Sequence, residues 1–109
     1  MSKFTSCLNK GFQMSFENGF SISVQWGIGN YCAVREKDAY GTPQKQDYWD
    51  SVSAEIAVFE NNNDNMIVIR DDDRVAGWLS TDTVAKVIAI VSSAKTSKEI
   101  SLKCKALNL

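Results

Sequence analysis

The chain has 109 residues, of which 44% are hydrophobic and 23% charged, and its formal net charge is −1. These values predict a single globular domain over residues 1–109 and exclude the low hydrophobicity and high charge of disordered chains. The sequence has no histidine, and its three cysteines are scattered, so we expect no metal site, no disulfide framework and no histidine-based catalysis.

The first predicted element is a β-hairpin over residues 12–26. Apolar and polar residues alternate on both sides of an Asn-Gly pair, as in two half-buried strands. A two-residue turn would place Phe16 opposite Ser21 and mix the two faces. A three-residue loop that ends in Gly19, with a left-handed backbone there, instead pairs Phe16 with Phe20. The pattern therefore predicts the longer loop.

A glycine pair, Gly27 and Gly29, follows the hairpin. Paired glycines at a strand end predict a sharp bend, with a close backbone approach to a ligand as the alternative. The pair is weak evidence for phosphate binding, because that chemistry needs a helix to follow the glycines directly.

A long polar connection is predicted over residues 35–51. Connections beyond about 12–15 residues are usually functional or disordered. Five of its residues are candidates for contact with a partner protein: Tyr40, Asp47, Tyr48, Trp49 and Asp50. Disordered linkers are poor in aromatic residues, so we expect these rings to contact the domain or a partner. Trp49 is the strongest candidate, because aromatic residues dominate binding hot spots.

Apolar runs at 54–59 and 66–69 flank an Asn-rich segment and predict a second hairpin. The first run is apolar on both faces, which is typical of a central strand. The adjacent acidic residues Asp71, Asp72 and Asp73 are predicted to form a solvated turn, since they lack the ligand spacing of a calcium loop.

A helix is predicted from Thr81 to Ala94. Ser80 can cap its first amides, and Val84, Val87, Ile88 and Val91 recur at helical spacing. Trp78, beside this cap, and Trp26, which continues the inward alternation of its strand, are both expected in the core.

Alternation of Ile100, Leu102, Cys104 and Ala106 with polar residues predicts a C-terminal edge strand. Together the elements predict an α+β fold. Its antiparallel sheet has about five strands, from two hairpins plus the C-terminal strand, and one main helix packs on one face.

Charge is the main functional signal. Residues 47–73 carry eight acidic side chains and one arginine, a net charge of −7. Such a segment favours binding to a basic surface of another protein, and its acidic residues Asp71, Asp72 and Asp73 are further candidates for that contact. The alternative is an oligomeric binder that sequesters a nucleotide. Its ligand residues would be Trp26, Gly27, Gly29, Tyr31, Arg35 and Arg70. Direct nucleic-acid binding is not expected, since no basic stripe is present.

Four segments together resemble a group of small proteins encoded by bacteriophages and prophages: 16–20, 23–32, 54–59 and 75–80. The resemblance implies a non-enzymatic accessory protein that binds and inhibits or modulates a host protein, such as a nucleic-acid-handling or antiviral defence protein. It implies no catalytic residue. With no apolar run of the ~20 residues that span a bilayer and no signal-peptide pattern, we expect the chain in the host cytoplasm.

Overall fold

The computed structural model of the chain describes residues 2–8, 10–27, 30–33 and 50–109. Within them, five strands form one antiparallel sheet in the order of the sequence, and two helices follow. The elements are β1 (Lys3–Ser6), β2 (Gly11–Ser15), β3 (Phe20–Gln25), β4 (Ala54–Glu60), β5 (Val75–Leu79), α1 (Thr81–Ser93) and α2 (Ser97–Ala106). The predicted α+β fold with an antiparallel sheet is confirmed.

The β2–β3 hairpin has the predicted register. Met14 lies opposite Ile22, and the Phe16 amide donates to the Phe20 carbonyl at 2.8 Å. Gly19 has φ +94°, a conformation that glycine adopts without steric cost. The three-residue loop is therefore confirmed.

The second hairpin differs from the prediction. β4 is central, as expected, but its partner strand is β5, whereas Met66 forms a single bridge to Phe59. After the Ile67 amide donates to the Val58 carbonyl at 2.8 Å, the chain makes a turn at 70–73 and returns as β5. The segment at 66–69 still contributes buried side chains, Ile67 and Ile69.

The predicted C-terminal strand is wrong, because residues 100–106 belong to helix α2. The Thr96 hydroxyl accepts a hydrogen bond from the Glu99 amide at 3.1 Å, which caps the helix. Ile100 and Cys104, four residues apart, then lie on the buried face of the helix. The sheet still has five strands, because β1 (Lys3–Ser6) takes the place of the predicted C-terminal strand.

Helix α1 begins and ends close to the predicted positions. The Ser80 hydroxyl accepts a hydrogen bond from the Thr83 amide at 3.2 Å, as its capping role requires. At the other end, Asn18 of the hairpin loop donates from Nδ2 to the carbonyls of Val91 and Ala94, both at 2.8 Å. These bonds satisfy carbonyls that a helix end leaves unpaired, and they fix the helix to the β2–β3 loop.

The core lies between one face of the sheet and the two helices. Its largest fully buried side chains come from β3, β4, the segment before β5 and both helices: Ile22, Ile56, Val58, Ile69, Val87, Val91, Ile100 and Cys104. Of the helix residues expected there, Ile88 is only partly buried. Burial raises the pKa of the Cys104 thiol to about 11, so this cysteine stays protonated at neutral pH. Among the described residues, no helix has the length and apolarity needed to cross a membrane.

Alanine substitutions in α2 distinguish a helix from the strand that the sequence indicated. Ile100→Ala should lower the free energy of unfolding by about 2–5 kcal/mol, because its side chain is fully buried. Leu102→Ala should change it by less than about 0.5 kcal/mol, because Leu102 is exposed. In a strand both side chains would face the core. Comparable losses in urea unfolding of the two variants would contradict the helix.

Candidate functional site

Several residues singled out in the sequence lie outside the described residues: Gly29, Arg35, Tyr40, Asp47, Tyr48 and Trp49. Of the remaining acidic candidates, Asp50 is exposed, and Asp71, Asp72 and Asp73 lie exposed in and beside the turn before β5, as expected for a solvated turn. These predictions for the contact surface therefore stay predictions.

The residues of the nucleotide hypothesis do not converge where the structure describes them. Trp26 packs against the core, with its ring edge-on to Phe12 at a centroid distance of 6.3 Å. Gly27 is buried beside it. Arg70 lies exposed at the turn before β5 and does not line the pocket that Trp26 lines. Tyr31 is exposed and belongs to a different surface, described next.

Trp78 was expected in the core, and this expectation is wrong. Ala54 pairs with Leu79 and Ile56 pairs with Ala76, so β5 has one more residue than β4 between these two pairs. Such a β-bulge breaks the alternation of the strand. Ala76 and Leu79 are both buried, and Trp78 between them is 59% exposed.

The backbone of Trp78 is strained. Its φ is +53°, in the left-handed region that bulky side chains avoid. Residues held there cost about 1–3 kcal/mol and persist only where surrounding contacts impose the conformation. Here the Trp78 amide donates to the Tyr31 carbonyl at 2.8 Å, outside the β4–β5 pairing. The exposed tryptophan is therefore held in place by the segment that carries Tyr31.

We call this segment, residues 30–33, the 30–33 loop. Asn30 is buried and organises it: its Oδ1 accepts from the Gly27 amide at 3.0 Å. Its Nδ2 donates to Gln25 Oε1 at 3.2 Å and to Glu55 Oε1 at 3.3 Å. These bonds connect the loop to both β3 and β4.

Glu55 holds the loop with both carboxylate oxygens. While Oε1 accepts from Asn30, Oε2 accepts from the Tyr31 amide at 3.0 Å. Two residues before Glu55, just ahead of β4, the Ser53 hydroxyl accepts from the Ala33 amide at 2.9 Å. Hydrogen bonds to an ionised carboxylate are stronger than those between neutral groups. The loop is therefore attached to a central strand of the sheet by charge-assisted bonds.

Gly77 lets the loop lie against β5. A Cβ atom on Gly77 would lie 2.4 Å from the Tyr31 Cβ and 2.9 Å from its carbonyl oxygen, so a larger residue does not fit without a shift. With glycine there, the Tyr31 and Trp78 rings lie 5.4 Å apart, tilted by 33°. We call these two residues the aromatic pair. It exposes a tyrosine and a tryptophan side by side.

Comparison of the chain with protein-family models, with curated proteins and with solved structures finds no match. The resemblance to bacteriophage proteins therefore stays a prediction. Among the described residues, no group of three or more side chains could hold a metal ion.

Sequence reasoning missed most of this site. It identified Tyr31, but assigned it to nucleotide stacking, and it did not single out Asn30. Gly77 carried a usable signal, because an isolated glycine within a strand often marks a bulge or a close approach of another backbone. Glu55 carried a second one, as a charged residue within an otherwise apolar strand.

The contact between Gly77 and Tyr31 can be tested by a double-mutant cycle. Gly77→Ala should lower the free energy of unfolding by about 1–3 kcal/mol, because the added methyl group overpacks the contact. In a Tyr31→Gly background the same substitution should cost less, since the Tyr31 Cβ is gone. Denaturant unfolding of the four proteins gives the coupling. Strictly additive losses would show that the loop does not lie against β5.

Proposed function

We propose that this chain is a binding protein without catalytic activity, and that the aromatic pair is the centre of its contact surface. The observation that supports this proposal is Trp78, which combines a strained backbone with 59% exposure. Burial of a tryptophan ring stabilises a fold more than burial of most side chains. Here, in contrast, the fold holds a strained backbone that leaves the Trp78 ring in solvent. Strain of this kind clusters at functional sites, and tryptophan and tyrosine are enriched among binding hot spots.

The acidic segment that contains β4 indicates the kind of partner. Residues 50–73 carry seven carboxylates and one arginine, and none of these carboxylates forms an ion pair within the described part of the chain. Unpaired carboxylates attract a basic surface and speed association with it. Such a surface is typical of proteins that handle nucleic acid. With the resemblance to phage proteins, this supports a host bacterial protein as the partner, which the chain would inhibit by covering that surface.

Affinity purification with three baits tests this function. The baits are the wild-type chain, Trp78→Asn and Leu102→Asn, each incubated with bacterial lysate at low salt. Asparagine suits the left-handed backbone at position 78, so the substitution removes the ring without adding strain. Leu102, on α2, is a matched control because it is also 59% exposed.

We expect the wild-type chain and Leu102→Asn to capture the same protein, and added salt to weaken this capture. Trp78→Asn should weaken the affinity for that protein by about 2 kcal/mol or more. Its free energy of unfolding should change by less than about 1 kcal/mol, because the ring is mostly in solvent. Capture that survives Trp78→Asn, or no capture at low salt, would contradict the proposal.

A further inference from the structure

A pocket of about 290 Å³ opens between the sheet and the first turns of α1. It lies on the helix-covered side of β3 and β4, where Val24 and Ala54 face Val84 and Ile88. The aromatic pair does not line it. The pocket is therefore a feature separate from the proposed contact surface.

Small side chains explain why this space is not filled. Protein cores are close-packed, with few voids larger than a water molecule. Here two of the lining residues are alanines, Ala54 on β4 and Ala85 on α1. Its volume is close to the lower end of small-molecule sites, which run from about 300 to 1,000 Å³.

The chemistry of the lining limits the ligand. Phe12 and Trp26 contribute two aromatic rings, at an interplanar angle of 72°. Among the described residues, no charged side chain lines the pocket, and its polar side-chain groups are the hydroxyls of Ser51, Ser53 and Thr81 and the indole N–H of Trp26. Hydroxyls donate and accept hydrogen bonds but cannot neutralise a charge, so this lining favours a neutral ligand over an ionised one.

From these observations we infer that the pocket binds a neutral small molecule with a planar apolar body and one hydrogen-bonding group. The aromatic rings pack against the body, and the hydroxyls satisfy the polar group. This ligand class differs from a nucleotide, whose phosphates need cationic partners. The aromatic pair does not line this pocket, so binding here can be measured separately from the protein contact proposed above.

Indole is a suitable probe, because it has a planar apolar ring system and one N–H donor. Titration of the isotope-labelled chain with indole, followed by NMR, should give saturable shifts at Trp26, Ile88 and the Ala85 methyl group. The signals of Trp78 should not move. Indole-3-carboxylate carries a negative charge, so its affinity should be lower than that of indole by a factor of about ten or more. Absence of saturable shifts with indole, or shifts centred on Trp78, would overturn the inference.

Two variants of α1 give a matched comparison. Ala85 is exposed yet lines the pocket, so Ala85→Phe places a ring over the space and should weaken indole binding about tenfold or more. Ala89 is exposed one turn later and does not line the pocket. Ala89→Phe should therefore bind within about twofold of the wild-type chain. Equal binding by both variants would contradict the inference, and the shift map of the wild-type chain tests it even if Ala85→Phe fails to fold.

Discussion

The carboxylate of Glu55 is the contact on which the proposed contact surface depends. One of its oxygens accepts from Asn30 and the other from the Tyr31 amide, so a single side chain of β4 bonds two consecutive residues of the 30–33 loop. β4 is paired on both sides, with β3 and β5, and its opposite face is buried against the helices. The loop therefore takes its position from an interior strand of the sheet, and its contacts with β5 position the aromatic pair.

The β-bulge in β5 is the second feature that positions the aromatic pair. Without the extra residue, the alternation that buries Ala76 would direct Trp78 into the core as well. With it, Leu79 takes the buried place beside Ala54, and Trp78 is left on the other side with a left-handed backbone. The gain from burying Leu79 and the hydrogen bond to the Tyr31 carbonyl offset part of the strain. A site held by packing in this way loses little conformational freedom when its partner binds, which lowers the entropic cost of association.

Local patterns were sufficient to predict the β2–β3 hairpin and α1. In the hairpin, the loop length follows from keeping apolar residues on one face, and in α1 the cap and the apolar spacing agree. The C-terminal segment was ambiguous, because Ile100 and Cys104 fit a strand and a helix equally well. Thr96 and Glu99 form the Ser/Thr-x-x-Glu pattern that precedes many helices, and this signal would have decided for α2.

The candidate site could not be predicted in the same way, because it rests on pairings between distant parts of the chain. Whether Trp78 faces the core depends on the register of β5 against β4, which a one-residue insertion reverses. Likewise, Glu55 reaches Asn30 across 25 positions of the sequence. The apolar periodicity of one strand predicts neither this register nor this hydrogen bond. The sequence therefore indicated aromatic and acidic contact residues in general, while the fold determines which of them stand together.

The fold holds Trp78 outward against Tyr31 with a left-handed backbone. NMR of the folded chain tests it directly through nuclear Overhauser effects at Trp78. We expect a strong effect between the Trp78 amide proton and its own Hα, which are close in the left-handed conformation, and effects between the ring protons of Trp78 and Tyr31. Effects from the Trp78 ring to the methyl groups of Val84 and Val87 would instead place the ring in the core and contradict the outward orientation.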